Sequence, residues 1–325
     1  MQETAIEANA FHLSSVMSAC EKASAWQQAL GMFFGCSASV DLDTVCFNSA
    51  ISACGRCVQW PTALQLLDML SANSQPNTVS YNSTISVCGK SSCWARALWT
   101  FTSMRGARID QDQISHNAVI SAFGEAGEWD RALMLLTSMS QHQLAPDVVS
   151  YGAAISACEK GGQWEAALAV LQSLLEDRLA PSDICWNAAI SACEKCGQWQ
   201  GALLLLDSMP SAGVTADVVS FNAAISACEK GGRWQQALAL LHSAPRAEVI
   251  TFNAAISACE KAGRWQHALA LLAFMPEKSI RRDVITYNSV MAALKKAGQW
   301  ETTMQLMQLM CAAGMPLRTS TYARG

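Results

Sequence analysis

Nine tryptophans, Trp26, Trp60, Trp94, Trp129, Trp164, Trp199, Trp234, Trp265 and Trp300, recur at steps of 34 or 35 residues, with one step of 31. Similar sequence surrounds each of them, so the chain is a repeat array. A period in this range means that one supersecondary element is copied, and each copy buries its apolar face only against its neighbours. Nine copies between Ala10 and Leu317 use nearly all of the 325 residues, which leaves no room for a separate catalytic domain. The predicted units are 10–43, 44–77, 78–112, 113–147, 148–182, 183–217, 218–248, 249–283 and 284–317. Residues 1–9 read as a remnant of an earlier unit and 318–325 as the start of a truncated further one.

The unit from Gln113 to Asp147 shows how each copy is built. His116, Ile120 and Phe123 fall at helical spacing, and a break follows at Gly124 to Gly127. Trp129, Ala132, Leu133 and Leu136 then form a second helical stripe, closed by Met139 ahead of Pro146. Glycine recurs in the break as Gly162, Gly197, Gly232, Gly263 and Gly298, where it can end a helix. Each unit is therefore predicted to be an antiparallel helix pair. Stacked with a small constant rotation, the pairs give an all-α, right-handed superhelical α-solenoid with a long concave surface. The seventh unit, 218–248, loses residues near the end of its second helix, where a local change of pitch is expected.

With 51% hydrophobic and 15% charged residues, the chain has material for a continuous buried spine and no signature of disorder. Its formal charge of −4 argues against indiscriminate polyanion binding. No apolar run approaches the roughly 20 residues of a membrane helix. Glu3 and Glu7 without a basic residue make the first ten positions unlike a transit peptide or secretory signal. Seven of the fourteen cysteines, Cys20, Cys54, Cys88, Cys158, Cys193, Cys228 and Cys259, share a slot six residues before the repeat tryptophan. Phe123 and Leu294 fill the same slot, which marks it as an apolar core position. The C-x-x-C pairs Cys54/Cys57 and Cys193/Cys196 each join that slot to an odd neighbour, so neither zinc nor a redox centre is expected, and no cofactor.

Four slots outside the core recur. Twelve residues before each tryptophan stand Ser14, Asn48, Asn82, Asn117, Gly152, Asn187, Asn222, Asn253 and Asn288. Asparagine is a mediocre helix former, so its amide must be used, either for recognition or in a ladder from repeat to repeat. Three residues earlier run Phe11, Val45, Val79, Ile114, Val149, Ile184, Val219, Ile250 and Ile285, a β-branched series that core packing alone could also require. The last residues of the units are Asp43, Asn77, Asp112, Asp147, Ser182, Asp217, Glu248 and Asp283, good helix N-caps as well as polar groups. Eight residues after the Asn slot come Lys22, Arg56, Lys90, Lys160, Lys195, Lys230, Lys261 and Lys296, broken only by Glu125. A cation near a helix C-terminus suits the helix dipole; one cation and one amide per unit also suit one phosphate and one base per unit.

The units V-S-Y-N, I-S-A-C-E-K-G-G, W-x-x-A-L-x-L-L and A-P-D between Val79 and Leu241 resemble the pentatricopeptide repeat family, and the resemblance extends over all nine copies. Tetratricopeptide repeats of similar length carry tryptophan early in the first helix; here it opens the second. The resemblance implies sequence-specific binding of single-stranded RNA, one base per repeat, a code attributed to this family in general. It implies that the Asn slot and the unit's last residue read a base edge together, that the β-branched residue wedges between bases, and that the basic slot faces phosphate.

Carried over pair by pair, Asn82/Asp112, Asn117/Asp147, Asn187/Asp217 and Asn253/Asp283 imply U, Asn48/Asn77 implies C or U, and Ser14/Asp43 implies G. Gly152/Ser182, Asn222/Glu248 and Asn288/Leu317 depart from these patterns. The expected target is a pyrimidine-rich, U-rich strand, 5′-G-C/U-U-U-N-U-Y-U-N-3′. Family resemblance also implies a monomer acting in RNA processing, stability, editing or translation in a mitochondrion or chloroplast, with protein effectors as further partners. The visible N-terminus leaves a cytoplasmic site open. The competing function is a protein-binding helical scaffold, against which the basic register counts. Catalysis is not expected: none of the five histidines begins an H-x-E motif, and no Gly-rich phosphate loop appears.

Overall fold

The computed structural model describes residues 10–22, 25–36, 43–56, 59–141 and 143–312. The N-terminal and C-terminal remnants, Leu317, and the side chains of Ser14 and Arg56 lie outside the described residues. The chain divides into two compact bodies, Met1–Gly161 and Gly162–Gly325. The first contains α1 (Ala10–Lys22), α2 (Trp26–Cys36), α3 (Thr44–Arg56), α4 (Trp60–Asn73), α5 (Thr78–Lys90), α6 (Trp94–Gly106), α7 (Gln113–Ala126), α8 (Trp129–Gln141) and α9 (Val148–Lys160). The second contains α10 (Trp164–Glu176), α11 (Asp183–Lys195), α12 (Trp199–Ser208), α13 (Val218–Lys230), α14 (Trp234–Ser243), α15 (Val249–Lys261), α16 (Trp265–Phe274), α17 (Val284–Lys296) and α18 (Trp300–Ala312). No helix among the described residues is long and apolar enough to cross a membrane.

The repeat tryptophan is the first residue of every second helix, as its spacing predicts. The preceding turn is closed by glycine at positive φ at Gly127, Gly162, Gly197, Gly232, Gly263 and Gly298, with Ser92 adopting the same conformation in the third repeat. The unit-ending residues cap the next helix: Asp112 Oδ1 accepts from the Ser115 amide at 2.8 Å, and Asp147 Oδ1 from the Ser150 amide at 2.8 Å. Such a cap is worth about 1 kcal/mol, because it satisfies a backbone donor that the helix itself cannot.

Within the first body α1, α3, α5, α7 and α9 pack successively on one another, and within the second α11, α13, α15 and α17 do the same. Second helices settle against their own partner and against the first helix of the following repeat, as α6 does on α5 and α7. The I-S-A-C segment makes the close approach possible. Ile155, Ala157 and Cys158 are fully buried, as are Ile225, Cys228, Ile256 and Cys259. Phe123 and Leu294 occupy the cysteine slot and are equally buried. Burial pushes the thiols of Cys88, Cys158, Cys193, Cys228 and Cys259 up to about 11, so these cysteines behave as small hydrophobes. Cys20 is only half-buried, and Cys196 is exposed, its thiol donating to the Gly162 carbonyl at 3.1 Å.

The tryptophans themselves close the edge between repeats. The Arg131 guanidinium lies 3.9 Å from the Trp94 ring centroid, and Arg233 and Arg264 cover Trp199 and Trp234 in the same way. In the short seventh repeat α14 keeps the ten residues of α12 and α16. What is missing is the 3-10 turn that follows the other two, Pro210–Ala212 and Pro276–Lys278. The deletion therefore falls in the connection, and α13 still packs on α15.

Candidate nucleic-acid interface

The β-branched series is not core. Val45, Val79, Ile114, Val149, Ile184, Val219, Ile250 and Ile285 are 56–66% exposed, one on the first turn of each of α3, α5, α7, α9, α11, α13, α15 and α17. Core packing, which the sequence left open as their reason, is thereby ruled out. Within each body these apolar side chains, held in water at one register, form a regular series of ridges. Between two of them, Val79 and Ile114, lies an open cavity of about 360 Å³, lined also by Asn82, Ser86, Lys90 and Gly55. An exposed β-branched residue on each side, an amide and an ammonium thus border one slot.

The amides lie three residues further along the same helices and are tied to the following repeat. Asn82 Nδ2 donates to Asp112 Oδ1 at 3.2 Å, while Asn82 Oδ1 faces the Ser115 hydroxyl at 2.6 Å. Asn117 repeats this with Asp147 at 3.2 Å and Ser150 at 2.5 Å. In the second body, Asn187 bonds Asp217 at 3.4 Å and Ser220 at 2.6 Å, and Asn253 bonds Asp283 at 3.3 Å and Thr286 at 2.7 Å. The ladder from repeat to repeat is real, and it consists of the residues assigned to base reading.

Two further asparagines stand outside it. Asn48 Oδ1 and Asn222 Oδ1 are buried without a partner. Their repeats end in Asn77 and Glu248 in place of aspartate. The Ser80 hydroxyl donates to Asn77 Oδ1 at 2.9 Å, and Glu248 is one methylene longer. Asn288 lines an apolar cavity of about 760 Å³ beside Lys296, Trp300 and Met304.

The carboxylates gain from the network. Burial by itself raises the pKa values of Asp112, Asp147, Asp217 and Asp283, but hydrogen bonds outweigh it and leave all four lowered. The contacts responsible are with the amide and hydroxyl of Ser115, Ser150, Ser220 or Thr286, the hydroxyl's single proton lying between the carboxylate and the asparagine oxygen, and with the asparagine Nδ2.

The basic slot is more constrained than the sequence suggests. Lys160 pairs with Glu125 at 2.7 Å, Lys230 with Glu194 at 2.7 Å, Lys261 with Glu229 at 2.8 Å and Lys296 with Glu260 at 2.9 Å. Each acid belongs to the preceding repeat, and Glu194 and Glu229 also accept from Ser226 and Ser257. Lys90 makes no ion pair among the described residues. The matching acid slot in the second repeat is Gly55, where an added Cβ would lie 3.0 Å from Val87 Cγ2. Sequence reasoning missed Glu194, Glu229 and Glu260, although E-K recurs beside the slot it singled out, and it missed the hydroxyls Ser115, Ser150, Ser220 and Thr286 at the third residue of the following first helix.

PPR repeat profiles match residues 45–73, 219–247 and 285–315, the PPR repeat family profile matches 181–230 and 247–292, and the pentatricopeptide repeat-containing protein profile matches 83–204. The chain belongs to the pentatricopeptide repeat family. The crystal structure of the pentatricopeptide repeat protein PPR10, a protein known from maize, in complex with an 18-nt psaJ RNA element superposes with a TM-score of 0.83 at 21% identity. The alignment covers 99% of this chain and 48% of PPR10, and a triple cysteine-to-serine form of that complex gives the same values. This pentatricopeptide repeat chain thus spans about half the length of PPR10 and shares its all-α solenoid fold. No curated protein sequence matches it.

Proposed function

We propose that this pentatricopeptide repeat chain binds single-stranded RNA, one nucleotide per repeat, and selects pyrimidines where an asparagine is paired with an aspartate. The observation that carries this reading is the series of exposed β-branched residues, each three residues ahead of the amide slot. Flat apolar rings could enter the spaces between such ridges and meet the polar pair at the base. In the Asn82–Asp112, Asn117–Asp147 and Asn187–Asp217 pairs the asparagine oxygen is taken by the hydroxyl and one Nδ2 proton by the aspartate Oδ1. One amide proton and the second carboxylate oxygen remain, a donor beside an acceptor. Uracil offers the complement, a carbonyl beside N3–H.

Family membership points the same reading toward RNA processing, stabilisation, editing or translation in a mitochondrion or chloroplast. Fluorescence anisotropy with a labelled 13-mer containing 5′-GCUUAUCUA-3′ tests it. Binding that weakens when U at the third and fourth positions becomes A supports the assignment. Equal binding of both oligomers refutes base reading, and binding of neither moves the protein-scaffold reading to the front, with the paired lysines as its structural support.

A further inference from the structure

We infer that the hydroxyl at the third residue of each following first helix is a positioning residue for the base-reading amide of the repeat before it. This inference rests on the proposed RNA-binding function and adds a third member to each reading pair. The residues are Ser115, Ser150, Ser220 and Thr286, acting on Asn82, Asn117, Asn187 and Asn253. All four are fully buried, so a nucleotide does not reach them.

An asparagine amide can turn over and exchange its donor and acceptor ends, and a base reader that turns over reads the opposite pattern. The surroundings here forbid the turn. Asp147 Oδ1 can only accept, so it requires Nδ2 beside it, at 3.2 Å. The Ser150 oxygen lies 2.5 Å from Asn117 Oδ1 and 2.9 Å from Asp147 Oδ1, with one proton for both. Asp147 Oδ1 already receives the Ser150 amide and Asn117 Nδ2. Asn117 Oδ1 has the hydroxyl alone, so the proton belongs on the shorter contact. The hydroxyl also accepts from the Asp147 amide at 3.2 Å, which aims its proton outward toward the preceding repeat.

Variation among the repeats of this chain supports the assignment independently. Asn48, Asn82, Asn117, Asn187, Asn222 and Asn253 are followed in the next helix by Ser80, Ser115, Ser150, Ser220, Thr251 and Thr286. The two slots without asparagine, Ser14 and Gly152, are followed by Cys46 and Cys185. A thiol is a weak donor and serves where there is no amide to hold. The hydroxyl alone is not sufficient: Ser80 turns to Asn77 Oδ1, and Asn48 Oδ1 is left without a partner. Hydroxyl and aspartate together make the lock.

Ser150→Ala and Ser150→Thr test it on the full chain. The 13-mer carries U or C at the fourth position, read by Asn117, or at the third, read by Asn82, whose Ser115 is untouched. The expected result is that Ser150→Ala loses about two- to tenfold of the U-over-C preference at the fourth position, the worth of one net hydrogen bond, and none at the third. Ser150→Thr should keep both. A merely structural role weakens binding at both positions without changing either ratio, and that result, or an unchanged ratio at the fourth position, overturns the inference. Hydrogen exchange of the Asn117 side-chain amide in the RNA-free protein reads the lock directly: protection lost in Ser150→Ala is expected, and unchanged exchange overturns it. If the unmodified protein does not distinguish U from A at either position, the RNA reading itself fails, an outcome visible before any variant is compared.

Discussion

Asn117 Nδ2 lies 3.2 Å from Asp147 Oδ1, two residues that belong to successive first helices. The same carboxylate oxygen caps α9 by accepting the Ser150 amide at 2.8 Å. Capping of the next helix and contact with the asparagine, both open to the unit-ending residue from the sequence, therefore use one carboxylate oxygen. The cap fixes the carboxylate, and the carboxylate fixes the amide. Asn77 caps α5 through its own Oδ1, which accepts from the Ser80 amide at 3.0 Å, but it lacks the carboxylate charge, and Asn48 Oδ1 is left without a partner.

Asn77→Asp should accordingly repair the second repeat. A carboxylate there can take Asn48 Nδ2, the Ser80 hydroxyl is released to Asn48 Oδ1, and a buried orphan acceptor gains a donor. The expected gain in stability is about 1 kcal/mol. Urea unfolding should show a higher midpoint at constant slope, and anisotropy should show a sharper preference for U over C at the second position. A lower midpoint would mean that the new charge is not accommodated.

The aspartate network makes stability depend on acid. Asp112, Asp147, Asp217 and Asp283 have folded pKa values below their ordinary 3.8, the effect of burial being outweighed by the hydrogen bonds. A group lowered in the folded state stabilises above its unfolded pKa, and that contribution is lost as pH falls through 3.8 toward the lowered folded values. Thermal unfolding should show no contribution from these groups to any change in Tm between pH 7 and pH 5, and a decline below about pH 4. Replacing all four aspartates by asparagine should lower Tm at neutral pH and flatten that acid decline.

Salt dependence measures how many basic slots reach phosphate. Lys160, Lys230, Lys261 and Lys296 are held by glutamates, so they neutralise protein charge and not phosphate unless RNA breaks the pair. With those four held by glutamates, the slope of log K against log salt should be shallower than the roughly −6 of eight contacts at about −0.7 each. Glu229→Gln frees Lys261 and should steepen the slope by somewhat less than one. Because both partners are partly exposed, little thermal stability is at stake. A slope near −6 in the unmodified protein would show that RNA displaces the glutamates.

Gly231 is required by the tryptophan of the preceding repeat. An added Cβ would lie 2.5 Å from Trp199 Cδ1, inside contact distance of a ring covered on its face by Arg233. Gly231→Ala should destabilise the chain by about 1–3 kcal/mol, the usual cost of overpacking. Gly31→Ala is the control, since a Cβ there meets nothing within 4 Å. Equal midpoints for the two variants in urea would show that Trp199 moves aside freely.

Much of the architecture is legible in the chain because a repeat states each local rule nine times. Tryptophan spacing places the starts of the second helices, the glycines place the turns, and interchange of cysteine with Phe123 and Leu294 identifies a core slot that the structure shows buried. The recurring asparagine and the unit-ending aspartate were found in the same way. The residues missing from the seventh unit fall in the connection after α14 and not at the end of the helix, because a 3-10 turn leaves no periodic signature to read.

What the sequence by itself determined is what depends on neighbours three or four residues away: helix pairs, caps, turns and the apolar slots, all consequences of helical period and backbone conformation. Only the tertiary structure decided which recurring residues face water and which face the next repeat. It exposed the β-branched residues, joined Asn82, Asn117, Asn187 and Asn253 to an aspartate and a buried hydroxyl of the following repeat, and set lysines against glutamates of the preceding one. These are contacts between residues some thirty positions apart, and they exist because stacking brings successive first helices side by side. A periodic sequence names such residues, but packing assigns their partners.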